Sequence, residues 1–489
     1  MIAAAPMTAA APMIAATAVT AGAGPATVGG TGRTRNGYFD TLRAVALVRV
    51  VIYHAFGWAW LPVLFPSMGI MFALAGTLMA ASLDRAGGDY WPVLRKRMRR
   101  LLPPLWVMGV VLVPVMLWHG WTVTDGEGAG LDWRTIGFWV LPISDPPGSS
   151  WGADWVVPLW YIRTYLWLVL LSPAFLWLFR RWPKRVLAVP LVLMVLITTG
   201  LLNADGRSGD VMLSLGTFGA CWMLGFAQHD GTLRAVRLRV VVPVGAGLLV
   251  TGLAWALTHP DPVGGWDLDE VPLAQAMYSV GAVLLLMRVQ PDFSWLARRP
   301  ILSKLVTVAN SRAVTIYLWN NVAIFAAPLL LDAWWVTAAW DTPTVSGKLL
   351  QFGAAWLAIG AAILAFGWAE DLAAGRGARI NPWPRAARAT GAPRAAWVSW
   401  AAWVSWRRAA VPVLAGLTGV ALAWLVAAPV GSAAGLSTTG APAVTAPGER
   451  VAPPPEPSAV TSPVGSATGA GTRTWAITPE ASTGPVSTG

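Results

Sequence analysis

The stretch FDTLRAVALVRVVIYHAF (residues 39–56) is an apolar run that carries Arg43, Arg49 and His54. Ionisable side chains are costly at membrane depth and, where they occur there, face the protein interior or a water-filled cavity. The run therefore decides between a soluble amphipathic helix and a membrane helix with a polar inner face. Composition settles the choice. The chain has 489 residues, 56% of them hydrophobic and only 12% charged, where soluble domains carry about 25% charged residues. It reads as an all-α integral membrane protein, and 31 Trp fit an abundance of membrane–water interface.

Moving outward, about eleven apolar stretches approach the roughly 20 residues a spanning helix needs. They lie near 42–62, 65–83, 101–118, 158–179, 186–202, 211–228, 240–258, 271–289, 305–331, 349–367 and 411–430. Pro103, Pro104 and Pro114 in the third predict an extended or kinked start. The ninth is polar at its start, through Asn310, Ser311 and Arg312.

The loops between them alternate in charge. One set holds LRKRMRR (94–100), RRWPKR (180–185), LRAVRLR (233–239), LARRP (296–300) with Lys304, and the Arg-rich 376–408. The other set collects the acids, among them Asp145, Asp154, Asp210, Asp267, Asp269 and Glu270, with Arg134, Arg207 and Lys348 as its cations. Basic loops stay cytoplasmic, so the chain reads as a multi-pass protein of the cell membrane with its N-terminus inside and its C-terminal tail outside. The net charge of +12 is thereby a topology signal and argues for membrane lipid rather than nucleic acid as the partner.

The flanks differ from this core. Residues 1–36 are rich in Ala, Thr, Pro and Gly, lack the positive start of a signal peptide, and read as a disordered leader or a mis-assigned start. Residues 376–410 form a basic, Trp-rich linker in which AWVSW occurs twice, at 396–400 and 402–406. It reads either as an amphipathic segment on the inner leaflet or as a low-complexity expansion. Residues 411–431 give an extra span, and 432–489 a Ser/Thr/Pro/Gly-rich tail that cannot bury a core. The lone Cys221 excludes an intrachain disulfide and a multi-cysteine metal site, and no metal is expected.

Within the first span, Arg43 and His54 are eleven residues apart, almost three full turns, so both project from one face about 16 Å apart along the axis. Arg49 falls on another face. His119, His229 and His259 lie at loop edges, which leaves His54 as the histidine well inside a span. A neutral imidazole there can take a proton from a hydroxyl; it can also be a hydrogen-bonded structural link between helices. In the basic run after the second span, Arg97 and Arg100 are neighbours on one helical turn. They suit a phosphate-bearing ligand, or they serve orientation and anionic lipid as inner-loop charges do.

Asp40-Thr41-Leu42-Arg43, ten further residues and His54, followed by FALAGTLMA (72–80), resemble the opening of the membrane acyltransferase-3 family. Arg97-x-x-Arg100 running into Pro103, PLWYIRTYLWLVLLSP (158–173), TIYLWNNVAI (315–324) and GWAEDLAA (367–374) resemble its later motifs, the last as found in actinobacterial members. The resemblance spans roughly 37–375. It implies ten core transmembrane helices, with residues 411–431 as an addition, and transfer of an acyl group, often acetyl, from cytoplasmic acyl-CoA to a hydroxyl of an envelope glycan, glycolipid or secreted small molecule. It further implies His54 as the catalytic base, Arg43 as its support, and Arg97 with Arg100 at the CoA end. Arg163 and Tyr161 are expected as acceptor contacts from the outer side, unless Arg163 is a snorkelling interfacial arginine. The sequence departs from the family at Asn320, where a histidine is usual, and at Ala75-Gly76-Thr77 in place of Ser-Gly-Phe. Asn320 can still hydrogen-bond a substrate oxygen. A transporter or flippase for a lipid-linked substrate is the alternative function, and a catalytically weak scaffold a third; no inverted repeat favours transport.

Overall fold

The computed structural model describes residues 37–125, 130–333 and 345–375. The expected leader (1–36), linker (376–410), added span (411–431) and tail (432–489) lie outside the described residues. Among the described residues the chain is helical throughout, with no strand. The long helices are α1 (Gly37–Phe56), α2 (Ser67–Ala86), α3 (Trp91–Trp118), α4 (Leu159–Arg181), α5 (Pro183–Thr198) and α6 (Gly206–His229). They continue with α7 (Leu238–Thr258), α8 (Pro272–Val289), α9 (Pro300–Ser311), α10 (Ala313–Ala333) and α11 (Val345–Ala373).

Among the described residues, seven helical segments are long and apolar enough to cross a membrane: α2 with the turn before it, α3, α4 with the turn before it, α6, α7, α8 and most of α11. Four others are excluded by composition or length. Asp40, Arg43 and Arg49 dilute α1, α5 has 16 residues, α9 has 12, and the apolar part of α10 is Ala313–Pro328.

Three elements differ from their sequence-based outlines. α3 starts ten residues before the expected 101 and runs unbroken through Pro103, Pro104 and Pro114. Its first turn holds Pro92, and the two turns that follow (94–100) are built from Leu, Arg, Lys and Met, which are good helix formers. The apolar window ended where the charges begin, but the helix continues past them. α1 ends at Gly57, which takes a left-handed φ of +62° while its N–H bonds the Tyr53 carbonyl at 2.7 Å. The ninth span divides at Arg312 into α9 and α10. There Arg312 turns inward, 3% exposed, to bond the Gly367 carbonyl at 2.6 Å and Asp371 at 2.7 Å on α11.

Small residues let the helices approach closely, as they do where no hydrophobic gain separates helix from lipid. A Cβ added to Gly76 of α2 would stand 2.2 Å from the Trp222 carbonyl oxygen of α6, and one added to Gly225 would stand 2.2 Å from the Ala73 oxygen. We expect Gly76→Val to push α2 off α6 at a cost of about 1–3 kcal/mol, read as a lower melting temperature in detergent. An unchanged melting curve would mean that the two backbones are not in contact.

The charged loops gather at two ends. At the basic end Arg180 bridges Asp84 (2.8 Å) and Asp230 (2.7 Å), and His229 joins Asp84 at 2.8 Å. These contacts tie the ends of α2, α4 and α6, and the guanidinium fills the space between the two carboxylates. At the acidic end Arg49 meets Asp269, Arg163 meets Asp145, and the Asn321 amide donates to the Asp154 carbonyl at 2.8 Å.

Candidate active site

Two cavities are lined by successive stretches of α1, one by Arg43 and Leu47 and the other by Arg49 to His54. The first, about 290 Å³, opens among residues of the basic end. Arg43 and Leu47 of α1, Arg97 and Arg100 of α3, and Tyr161 and Tyr165 of α4 form most of its wall. Arg97 is anchored to α2, donating to the Leu78 carbonyl (3.0 Å) and the Ser82 hydroxyl (3.2 Å). Neither Arg43 nor Arg100 has an ion pair among the described residues. Three guanidiniums around one opening, none of them in an ion pair among the described residues, suit the geometry of a phosphate.

Glu370 of α11 borders the same cavity, but its charge is engaged. It accepts the Thr315 hydroxyl at 2.8 Å and the Thr315 N–H at 3.3 Å. Those donors belong to the first turn of α10, where a carboxylate offsets the helix dipole.

The second cavity, about 360 Å³, opens at the acidic end. Tyr53 and His54 of α1, Trp160 and Arg163 of α4, and Asp269 and Glu270 of the loop before α8 line it. Arg49 places both terminal nitrogens 3.0 Å from one Asp269 oxygen and lies over the Tyr53 ring at 4.7 Å. Gln275 holds the other Asp269 oxygen at 2.7 Å, and the Tyr53 hydroxyl donates to Asp267 at 2.9 Å. Arg163 is 4% exposed and donates to Asp145, to the Asp210 carbonyl (3.2 Å) and to the Ser214 hydroxyl (2.8 Å). Burial pushes the Asp267 carboxyl up, against the Asp269 N–H and the Tyr53 hydroxyl that hold it down. Burial also raises Glu270, and the neighbouring Asp267 and Asp269 add to the rise.

His54 is half-buried, lines this cavity, and has no hydrogen bond or ion pair to protein among the described residues. A structural histidine linking helices would be bonded. An imidazole left open to a cavity can accept a proton from whatever enters.

The structure thus brings Arg43, Arg97, Arg100 and Tyr161 together around one opening, and His54 and Arg163 around the other. Tyr161, expected on the acceptor side, lies on the arginine side instead. Adjacent positions of α4 point in different directions, so Trp160 and Arg163 face one cavity while Tyr161 and Ile162 face the other. Arg163 is a buried, ion-paired residue. Asn320 lines neither cavity. It is fully buried, with its amide on the Tyr317 carbonyl and its Oδ1 without a protein partner.

Arg49, Tyr53, Asp269 and Glu270 are residues of this site that the sequence reading passed over. Their signal was the run DLDE (267–270), which served only as a loop charge, and the i,i+4 spacing of Arg49 and Tyr53.

The two cavities come close. On α1 the lining passes from Leu47 to Val50, and on α2 from Met71 to Met68. Three residues of helix are about 4.5 Å of rise.

The family model described as an acyltransferase domain matches residues 36–370 of the chain. No curated protein and no solved structure gives a match.

Proposed function

Because this chain belongs to the membrane acyltransferase family 3, we propose that it moves an acyl group, acetyl in the simplest case, from acyl-CoA to a hydroxyl of an envelope glycan, glycolipid or small molecule. The observation that carries this reading is the pairing of a cavity ringed by Arg43, Arg97 and Arg100 with a second that exposes an unpartnered His54, about 16 Å along α1 from Arg43. The arginine cavity suits the phosphates of CoA, and its basic surroundings face the cytoplasm by the alternation of loop charge. The second cavity receives the acceptor from outside.

The chemistry is acyl transfer. His54 takes the proton of the acceptor hydroxyl as its oxygen bonds to the acyl carbon. The carbon–sulfur bond of the thioester breaks, and the CoA thiolate leaves and takes up the proton that His54 releases. Arg43 and Tyr161 border the path of the thioester on the donor side. Arg163 and Asp269 border the acceptor, and the buried Asn320 shapes the wall behind Tyr317. On this reading the seven clear spans are joined by α1, α5 and the α9–α10 pair to make ten crossings.

The test is purified protein in liposomes, given labelled acetyl-CoA and a panel of envelope glycans and glycolipids. Label on a hydroxyl of one acceptor supports the reading. Acceptor carried across the bilayer without label overturns it in favour of transport. Replacing Arg97 and Arg100 together by alanine is expected to raise the KM for acyl-CoA by about tenfold or more while sparing insertion, since each lost charge-assisted phosphate contact is worth about 1.5–3 kcal/mol. An unchanged KM would remove both arginines from the donor site.

A further inference from the structure

The wall between the two cavities is aromatic, and one side chain occupies its centre. Phe72 of α2 is fully buried and lines neither cavity. Its ring centroid lies 4.7 Å from that of Tyr161, which faces the arginine cavity, and 4.8 Å from that of Phe218, which faces the histidine cavity. Trp160 continues the stack on the acceptor side, 5.5 Å from Phe218. A group passing from the arginines to His54 meets this stack, because Phe72 touches a ring that lines each cavity, and on its own helix the lining passes from Met71 to Met68, about 4.5 Å of rise.

We propose that the Phe72 ring is the partition between the donor and acceptor cavities, and that the space left when it turns aside sets the length of acyl chain the protein accepts. The part about acyl length rests on the acyltransferase reading. The partition itself does not. Phe72 reaches the site from α2, which packs against α6 through Gly76 and Gly225, so its backbone is held and any opening must come from rotation of the ring. A short acyl group needs a small displacement of the ring. Each further methylene demands space already filled by Tyr161 and Phe218.

Two measurements test the proposal. The first uses Leu47→Cys in a Cys221→Ala background, with a charged, membrane-impermeant thiol reagent applied to intact cells or to inverted vesicles. With Phe72 present, labelling is expected only from the side of the arginine cavity. With Phe72→Ala it is expected from both sides, and with Phe72→Leu the one-sided pattern should persist. Retained labelling from the arginine side in each variant reports that the fold survives. Two-sided labelling with Phe72 intact, or one-sided labelling in Phe72→Ala, overturns the partition.

The second compares acetyl-, butyryl- and hexanoyl-CoA as donors. Phe72→Ala is expected to raise the preference for the longer chains over acetyl by about tenfold or more, the range one or more accommodated methylenes provide, and Phe72→Trp to lower it. An unchanged preference, with the unsubstituted protein active, overturns the role in acyl length. If the unsubstituted protein transfers no acyl group at all, it is the acyltransferase reading that fails, and the labelling experiment alone decides the partition.

Discussion

His54→Gln is expected to lower acyl transfer by about 10²–10⁴-fold, the usual worth of a positioned general base, with little change in stability. The two halves of that expectation have separate grounds. His54 is the imidazole open to the cavity lined by Arg163 and Asp269, and no other histidine lines either cavity. The glutamine amide fills similar space and keeps hydrogen-bonding capacity, but it cannot take up a proton. The fold should not notice, because the ring has no hydrogen bond or ion pair to protein among the described residues. Transfer rate and melting temperature measured on the same preparation check both halves. A rate within threefold of the unsubstituted protein would remove His54 from the chemistry. A collapse in melting temperature would return it to the structural role the sequence also allowed.

Asp371→Ala is expected to cost about 3–5 kcal/mol, the penalty for stranding a buried charge, and so to deplete folded protein from the membrane. Arg312 and Asp371 are each only 3% exposed at the side chain and 2.7 Å apart. Arg312 also holds the Gly367 carbonyl, so removing the carboxylate leaves a guanidinium among apolar helices with one acceptor fewer. Replacing both partners by Arg312→Met and Asp371→Leu should recover much of the loss, since a well-packed apolar pair is often as stable as a buried ion pair. Thermal unfolding of the single and double variants in detergent decides it. A double variant no better than the Asp371→Ala single would mean that the pair is not coupled. The stake is functional as well as structural: this pair fixes the break between α9 and α10, and α10 carries Tyr317 into the arginine cavity.

Much of this architecture was legible in the chain. Long apolar runs give helices because lipid offers backbone groups no partner, so each segment must bond to itself. Six of the described helices, α2 and α4 to α8, therefore fall within five residues of their sequence outline at both ends, and the ninth stretch alone divides. The outlines failed where charge and helix part company. Hydropathy stops at Leu101, yet the helix runs back to Trp91, because arginine and lysine end an apolar window without ending a helix. The break at Arg312 had a visible mark in Asn310-Ser311-Arg312, but its cause lies at Gly367 and Asp371, more than fifty residues away.

The candidate site divides in the same way. Arg43 and His54 on one face of α1 follow from eleven residues and a 3.6-residue turn, which is local geometry. Arg97 and Arg100 follow from adjacency. By itself the sequence determined a helical membrane protein, the sign of charge at each of its two ends, and a polar face on its first helix. Only the tertiary structure decided that the three arginines and the histidine belong to two cavities rather than one, that Tyr161 sits with the arginines, and that Phe72 touches a ring of each cavity. Helix periodicity and loop charge are carried by neighbours along the chain, whereas a cavity is the space that several helices leave between them, and no one segment encodes it.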